Sequence, residues 1–330
     1  MRALSGIQAT GSIHLGNYVG AVKLWVEAQA KYEENFYFVP DLHTLNVRPK
    51  PEELTEGIYE AVAVLLAAGI DPTKSVVYTQ SSIPANSELF NILNNYVTMG
   101  ELKRMTQFKE KQQKFGGEGA VVGLFEYPVL MAADIILYDV DVVPVGDDQR
   151  QHVELARDVA ERFNNAHGDT FKLPKAEVPK SGARVMNLSD PTRKMSKSDQ
   201  DAAGCIFLSD SPDQIKQKIS RAVTDSGSEV KADRQNKPGI TNLLEIFSVL
   251  GGQSIAVLEG RYRGKSYGEL KADLSELIIN VLKPLQTKQS QLLQDKGQIL
   301  EVLRAGKAKA EPIAQAKLAE VKQKIGLLTP

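Results

Sequence analysis

Short apolar runs alternate with helical periods through the first half of the chain. Residues 2–5 read as a short strand that runs into a glycine-rich turn. Across residues 17–31, Tyr18, Ala21, Val22 and Trp25 recur at i, i+3, i+4 and i+7, which predicts a helix with one apolar face. Phe36-Tyr37-Phe38-Val39 predicts a strand over 35–39 that ends at Pro40-Asp41. Residues 51–68 keep a helical period until Gly69 stops it, and 76–79 form the next strand. The apolar run 127–138 predicts a helix with Pro128 in its first turn. Val143-Pro144-Val145-Gly146-Asp147-Asp148-Gln149 reads as a buried strand ending in polar residues. Alternation at this spacing predicts an α/β fold, a parallel sheet with helices on both faces. Ligands of such sheets bind beyond the carboxyl ends of the strands, where Ser5-Gly6 and Asp41-Leu42-His43 stand.

Beyond residue 190 the strand patterns fade. Leu270, Leu274, Leu277, Ile278, Val281, Leu282 and Leu285 hold a helical period over several turns. Two domains are therefore expected: 1–189, and a helical 190–330 whose last helices can pack back on the first. The 330 residues, 42% hydrophobic and 25% charged, suffice for one sizeable core and a smaller second one. A net charge of −1 excludes a global basic field for nucleic acid, so RNA contact must be local. Residues 261–330 carry 13 Lys and Arg against 7 Asp and Glu, the candidate patch; a solvated helical surface is the alternative. Cys205 is the only cysteine, which excludes an intramolecular disulfide and argues against a Cys-based metal site. With no apolar signal region at the start and no long apolar span, a cytoplasmic protein without a membrane segment is expected. A mature organellar form that has lost its leader is the alternative.

Gly6-Ile7-Gln8-Ala9-Thr10-Gly11 joins the first strand to the first long helix. Glycines there let backbone approach a ligand, and the helix start offers N–H groups and a positive dipole end to a phosphate. An ordinary tight turn is the plain alternative. His14 and Asn17 follow one helical turn apart, so both can donate hydrogen bonds into one cleft as charge builds on a phosphate. About 180 residues downstream, Lys194-Met195-Ser196-Lys197-Ser198 supplies two lysines in a loop preceded by Pro191-Thr192-Arg193. Asp134 is an isolated carboxylate in an apolar helix, which is costly unless it is paired. A core Asp satisfied by a backbone N–H or an Arg would explain it. So would a slot beside Met131 and Ile135 for a bulky ring with one N–H, since indole only donates and an ionised carboxylate only accepts.

Gly11-Ser12-Ile13-His14-Leu15-Gly16-Asn17 and Lys194-Met195-Ser196-Lys197-Ser198 resemble the HIGH and KMSKS signatures of the class I aminoacyl-tRNA synthetases. The segments around Asp134, Asp148 and His43 resemble the tryptophanyl branch of that family. The likeness covers nearly all of residues 1–250 and fades in the tail. It implies a Rossmann-like catalytic domain, here 1–189, and a helical domain, here 190–330, that carries the lysine loop and binds the tRNA anticodon. It implies activation of L-tryptophan by Mg²⁺·ATP to tryptophanyl-adenylate, transfer to tRNA(Trp), and a homodimer. His14, Asn17, Lys194 and Lys197 would be catalytic, with Lys197 reaching the β- and γ-phosphates. ATP would also meet Gln8, Ala9 and Thr10, Gly16 (where a side chain would strike adenine), Lys109 from the 100–109 run, and Val185. Met195, Ser196 and Ser198 of the loop belong with them. Asp148 would hold the ribose hydroxyls, with Gly146 permitting the close approach of the ribose, and Asp147 would also meet ATP. Asp134 would hold the indole nitrogen. Leu4, Gly6, His43, Tyr127, Met131, Val143 and Val145 would surround the substrate, and Gln149 would approach its amino or carboxylate group. The chain departs from the family wording at Leu15, at Asn17, which keeps a donor, and at Ala9, where the branch usually has Pro. A tyrosyl-type enzyme and a non-catalytic tryptophan-sensing paralogue are the rival readings.

Overall fold

The structure is a computed structural model that describes residues 1–9, 13–106, 121–178, 185–196 and 202–328. Its contacts divide the chain into two compact units. The first comprises Met1–Thr10, Glu27–Pro179 and Asp295–Pro330, and the second Gly11–Val26 and Lys180–Gln294. The two domains expected from the sequence, 1–189 and a helical 190–330, enter below as a proposal.

The first unit is built on five strands: β1 (Arg2–Gly6), β2 (Glu34–Val39), β3 (Ser75–Thr79), β4 (Val142–Pro144) and β5 (Lys175–Glu177). All pair in parallel, in the order β3-β2-β1-β4-β5. A parallel sheet covered on both faces needs strands that are apolar throughout, and Phe36, Tyr37, Phe38 and Val39 of β2 are all buried. The register sets Gly6 beside Phe38 and Phe38 beside Tyr78. The order runs from β1 to β2 and β3 on one side and to β4 and β5 on the other. This leaves the switch point where such sheets bind ligands between the carboxyl ends of β1 and β4.

The Pro51–Ala68 helix has the predicted bounds: Pro51 starts it and Gly69 ends it in a left-handed conformation at φ 115°. The helix around Asp134 begins earlier than predicted, at Val122, so Pro128 lies inside it rather than in its first turn. Interior proline costs about 3 kcal/mol. The upstream turn offsets this by burying Leu124 and Tyr127 in the main core. The tail helix Lys296–Lys324 belongs to the first unit and packs on β3. A Cβ on its Gly306 would lie 1.8 Å from the Val77 carbonyl oxygen, so only glycine allows that approach. Ala310, Ala314, Leu318 and Val321 then enter the same core as Phe36 and Tyr78. Lys296 and Lys322 pair with Glu56 and Glu88, and Lys317 with Asp139 and Glu320. The tail's positive excess is thus partly neutralised within the first unit.

In the second unit, Pro212–Arg221 and Pro238–Gly251 pack on the long Tyr267–Gln294 helix. That helix buries Leu270, Leu274, Ile278, Leu282 and Leu285, while Leu277 and Val281 are half-buried at the margin of the stripe. The predicted helix at 17–31 is instead Leu15–Asn17, a π-helical turn Tyr18–Val22, and Lys23–Ala28. The wider turn rotates the buried face onto Leu15, Val19, Val22 and Trp25, leaving Tyr18 and Ala21 half-buried.

Candidate active site

Four strand ends of the first unit carry the polar groups. After β2, Asp41–Thr44 forms one helical turn. Buried Asp41 accepts from the backbone N–H groups of Leu42 (3.1 Å) and Ser81 (2.9 Å) and from the Ser81 hydroxyl. This ties the end of β2 to the end of β3. Gln80, the first residue after β3, is completely buried. Its Oε1 accepts from Leu42 N at 3.2 Å, and its Nε2 donates to both oxygens of Asp134, at 2.7 and 2.8 Å. His43 Nε2 lies 2.9 Å from Asp134 Oδ2. An ionised carboxylate only accepts, so the His43 proton sits on Nε2. Asp134 is 1% exposed. Burial pushes its carboxyl above the usual carboxylate range, and the bonds from His43 and Gln80 work against that rise.

Tyr127 stands two helical turns before Asp134, edge-on to the His43 ring at 6.2 Å, and its hydroxyl bonds His152 at 2.9 Å. Met131, one turn before Asp134, is half-buried, as are His43 and Val145. Leu4 and Val143 are core residues of β1 and β4, whereas Gly6 at the tip of β1 is exposed. Asp134, His43 and Tyr127 therefore form one connected set, with Met131 beside it. Asp41, named in the sequence only as part of a strand end, joins that set, and so does Gln80, which the sequence had not singled out; the available signal for Gln80 was its position directly after a parallel strand.

After β4, Asp147, Asp148 and Gln149 form a single 3₁₀ turn. Asp148 is exposed and accepts from Gln149 Nε2 at 2.9 Å, while Asp147 pairs with Arg150. A Cβ on Gly146 would lie 2.7 Å from Asp148 Oδ1, so the glycine seats that carboxylate. At the end of β1, Gln8 is exposed and Ala9 buried. Thr10, Lys109, Lys197 and Ser198 lie outside the described residues.

The second unit holds the remaining candidates. His14 caps the Leu15–Asn17 turn: its Nδ1 accepts from Asn17 N at 3.2 Å, and Asn17 Oδ1 accepts from His14 N at 3.2 Å. With Nδ1 accepting, the imidazole proton is on Nε2, so Nε2–H is the ring's donor. Asn17 has committed its carbonyl oxygen and retains the amide Nδ2 as a donor group. A Cβ on Gly16 would lie 3.0 Å from the His14 ring and 3.7 Å from Val185 Cβ. Gly16 thus makes room for the capping histidine.

Val185 O accepts from Met195 N at 3.0 Å, and Asn187 N donates to Arg193 O at 2.9 Å, which pairs 185–187 with 193–195 in antiparallel fashion. Alternation along this pair buries Met195 and exposes Lys194. Asn242, buried on the Pro238–Gly251 helix, clamps Met186 by accepting from its N–H (2.8 Å) and donating to its carbonyl (3.0 Å). No sequence signal marked Asn242, because its partner lies 56 residues away. Val185, Lys194 and Met195 are thereby held by paired backbone and a clamped asparagine, with Gly16 close to Val185.

The family model described as tRNA synthetases class I (W and Y) matches residues 1–283. A tryptophan–tRNA ligase of Leifsonia xyli is 48% identical over 330 residues, covering 100% of this chain and 98% of the relative. The crystal structure of tryptophanyl-tRNA synthetase from Mycoplasma pneumoniae aligns with a TM-score of 0.92 at 38% identity, covering 99% of this chain and 98% of that one. The Campylobacter jejuni enzyme complexed with ADP and tryptophan aligns at 0.83 and 39% identity, covering 99% and 100%.

Proposed function

This chain belongs to the class I tRNA synthetases of the tryptophan and tyrosine group and is a ligase that joins tryptophan to tRNA, and from that premise we propose how its residues divide the work. A tryptophan carboxylate oxygen bonds to the α-phosphorus of ATP as the bond from that phosphorus to the bridging oxygen breaks and pyrophosphate leaves. A hydroxyl at the 3′ end of tRNA then attacks the activated carbonyl and displaces AMP. The first step needs no general base, since the attacking carboxylate is already ionised. It needs positioning and stabilisation of the charge that collects on the departing phosphates. His14 Nε2–H, the Asn17 amide and the lysines Lys194 and Lys197 supply donors and charge for that purpose. Gln8 and Lys109 are also assigned to the phosphates, and Ala9 and Thr10 to ATP. Gly16, Val185, Met195, Ser196 and Ser198 complete the nucleotide contacts. Magnesium enters with ATP as part of the substrate, carried on phosphate oxygens.

Asp148, seated on Gly146 and next to Asp147, takes the ribose hydroxyls. Asp134 takes the indole N–H, with the half-buried His43 and Met131 marking the side from which the ring reaches it. Leu4, Gly6, Tyr127, Val143 and Val145 shape the slot, and Gln149 meets the substrate's amino or carboxylate group. The single observation that carries this reading is the buried Asp134, an acceptor held by Gln80 and His43 in the otherwise apolar 128–136 stretch of its helix.

The activation domain is assigned to 1–189 and tRNA anticodon binding to 190–330. For the latter, Arg263, Lys283 and Lys288 are exposed cations of the second unit. A homodimer is supported by a patch on the first unit: Leu45, Val47 and Val122 are 51%, 54% and 68% exposed. Asn46, between the first two, abuts Gly123 beside the third. A cytoplasmic setting, where ATP, tryptophan and tRNA meet, completes the proposal.

The ribose assignment is tested by pyrophosphate exchange with ATP and 2′-deoxy-ATP in wild type and Asp148→Asn. Wild type should prefer ATP by about tenfold, and the variant should lose most of that preference by losing activity with ATP alone. An equal fall with both nucleotides would remove Asp148 from the ribose.

A further inference from the structure

Three donor contacts converge on Asp134: two from Gln80 Nε2, one to each oxygen, and one from His43 Nε2 to Oδ2. An ionised carboxylate offers about four lone-pair directions, two on each oxygen. Among the described residues, Oδ2 therefore has two donors and Oδ1 has one. The remaining direction is on Oδ1. Gln80 is itself fixed, because its Oε1 accepts from Leu42 N and its side chain is 0% exposed. The bridging amide thus sets the rotation of the carboxylate, and with His43 on Oδ2 it is Oδ1 that is left to accept.

We infer that Gln80 is the positioning residue for ring recognition: it holds Asp134 with Oδ1 turned to a substrate N–H, so that the site demands a ring donor. This rests on the assignment of Asp134 to the indole. It differs from a packing role because it ties Gln80 to one hydrogen bond of one substrate. Other ionisable groups face Asp134 as well: His43 and Asp41 from the Asp41–Thr44 turn, Tyr78 from β3, and Tyr138 beyond the Val122–Ile136 helix. All are unchanged in the variants below, so differences from wild type report on Gln80.

The test compares wild type, Gln80→Met and Gln80→Glu in pyrophosphate exchange from pH 6 to 9. The substrates are tryptophan and 3-benzothienylalanine, in which sulfur replaces the indole N–H. Gln80→Met removes the donor, so protonation of Asp134 becomes easier. Its tryptophan KM should rise about tenfold and worsen as pH falls, with kcat and the analogue's kcat/KM little changed. Gln80→Glu keeps the size and the acceptor for Leu42. Its carboxyl and Asp134 share one proton at low pH, which restores a donor, so its tryptophan KM should instead worsen as pH rises.

Opposite pH trends would establish the role. If Gln80→Met is insoluble, the rising trend in Gln80→Glu decides the matter by itself. Parallel loss for both substrates, with the wild-type pH profile in the variants, would overturn it. A wild-type enzyme that prefers another amino acid would instead remove the functional reading, before any variant is compared.

Discussion

Replacing Lys197 with alanine should slow tryptophan activation by about 10²–10³-fold and leave the tryptophan KM within about threefold of wild type. Charge on the pyrophosphate grows only toward the transition state, so a cation that meets it contributes to kcat rather than to ground-state binding of the amino acid. Lysine suits this task as a compact point charge on a flexible stem, able to follow a group that moves. The strand leading to it is pinned: Met195 is buried and bonded to Val185, and Asn242 holds the paired Met186 at both its N–H and its carbonyl. Single-turnover rates of adenylate formation, beside tryptophan KM, make the measurement. Unchanged turnover with a raised tryptophan KM would assign Lys197 to substrate binding instead.

Asp134→Ala should narrow the preference for tryptophan over phenylalanine by about 1–3 kcal/mol, roughly 5- to 150-fold. A site built around one acceptor rejects rings without a matching donor because the acceptor is then buried unpaired. Phenylalanine has no ring donor, and the tyrosine hydroxyl lies at the wrong end of a narrower ring. Tryptophan should therefore lose most, being the ring that makes the bond. Truncation also leaves Gln80 and His43 without their acceptor, a cost felt with every substrate. The informative quantity is consequently the ratio of kcat/KM values among tryptophan, tyrosine and phenylalanine, not the absolute loss. One common factor for all three would make Asp134 a core aspartate with a structural role.

The strand–helix alternation of the first 190 residues was legible because each signal there is local. Pro51 and Gly69 bracket their helix by backbone chemistry that two residues suffice to specify. Pro128 misled for the converse reason: a proline reads as a helix start, and only the burial of Leu124 and Tyr127 in the core carries the helix back to Val122. The π-helical turn at Tyr18–Val22 shifted a face that a 3.6-residue period had placed on Tyr18 and Ala21. Amphipathic spacing announced the helix over residues 270–285, and the last helices were expected to pack back on the first domain without a statement of what they cover. Gly306 against Val77 is a contact between residues 229 positions apart, beyond any periodicity. Truncating that helix would strip core side chains from the first unit, so charge reversal at Arg263, Lys283 and Lys288 tests tRNA binding more cleanly than removal of the tail.

In the site, residue types were legible and their partners were not. His14 and Asn17 stood out as phosphate donors, yet half of each side chain's capacity goes to capping its own helix. Asp134 stood out as a lone carboxylate, while Gln80, which fixes it, lies 54 residues earlier in an unremarkable position after a strand. A hydrogen bond that closes only in the folded chain leaves no pattern in a single sequence.

Amino-acid-dependent exchange between ATP and labelled pyrophosphate, run with each of the twenty amino acids in turn, tests the assignment of substrate and reaction together. Exchange with tryptophan, and essentially none with the other nineteen, is the expected result. Equal or greater exchange with tyrosine would contradict the ring assignment while leaving the fold in place, and no exchange with any amino acid would contradict the chemistry itself.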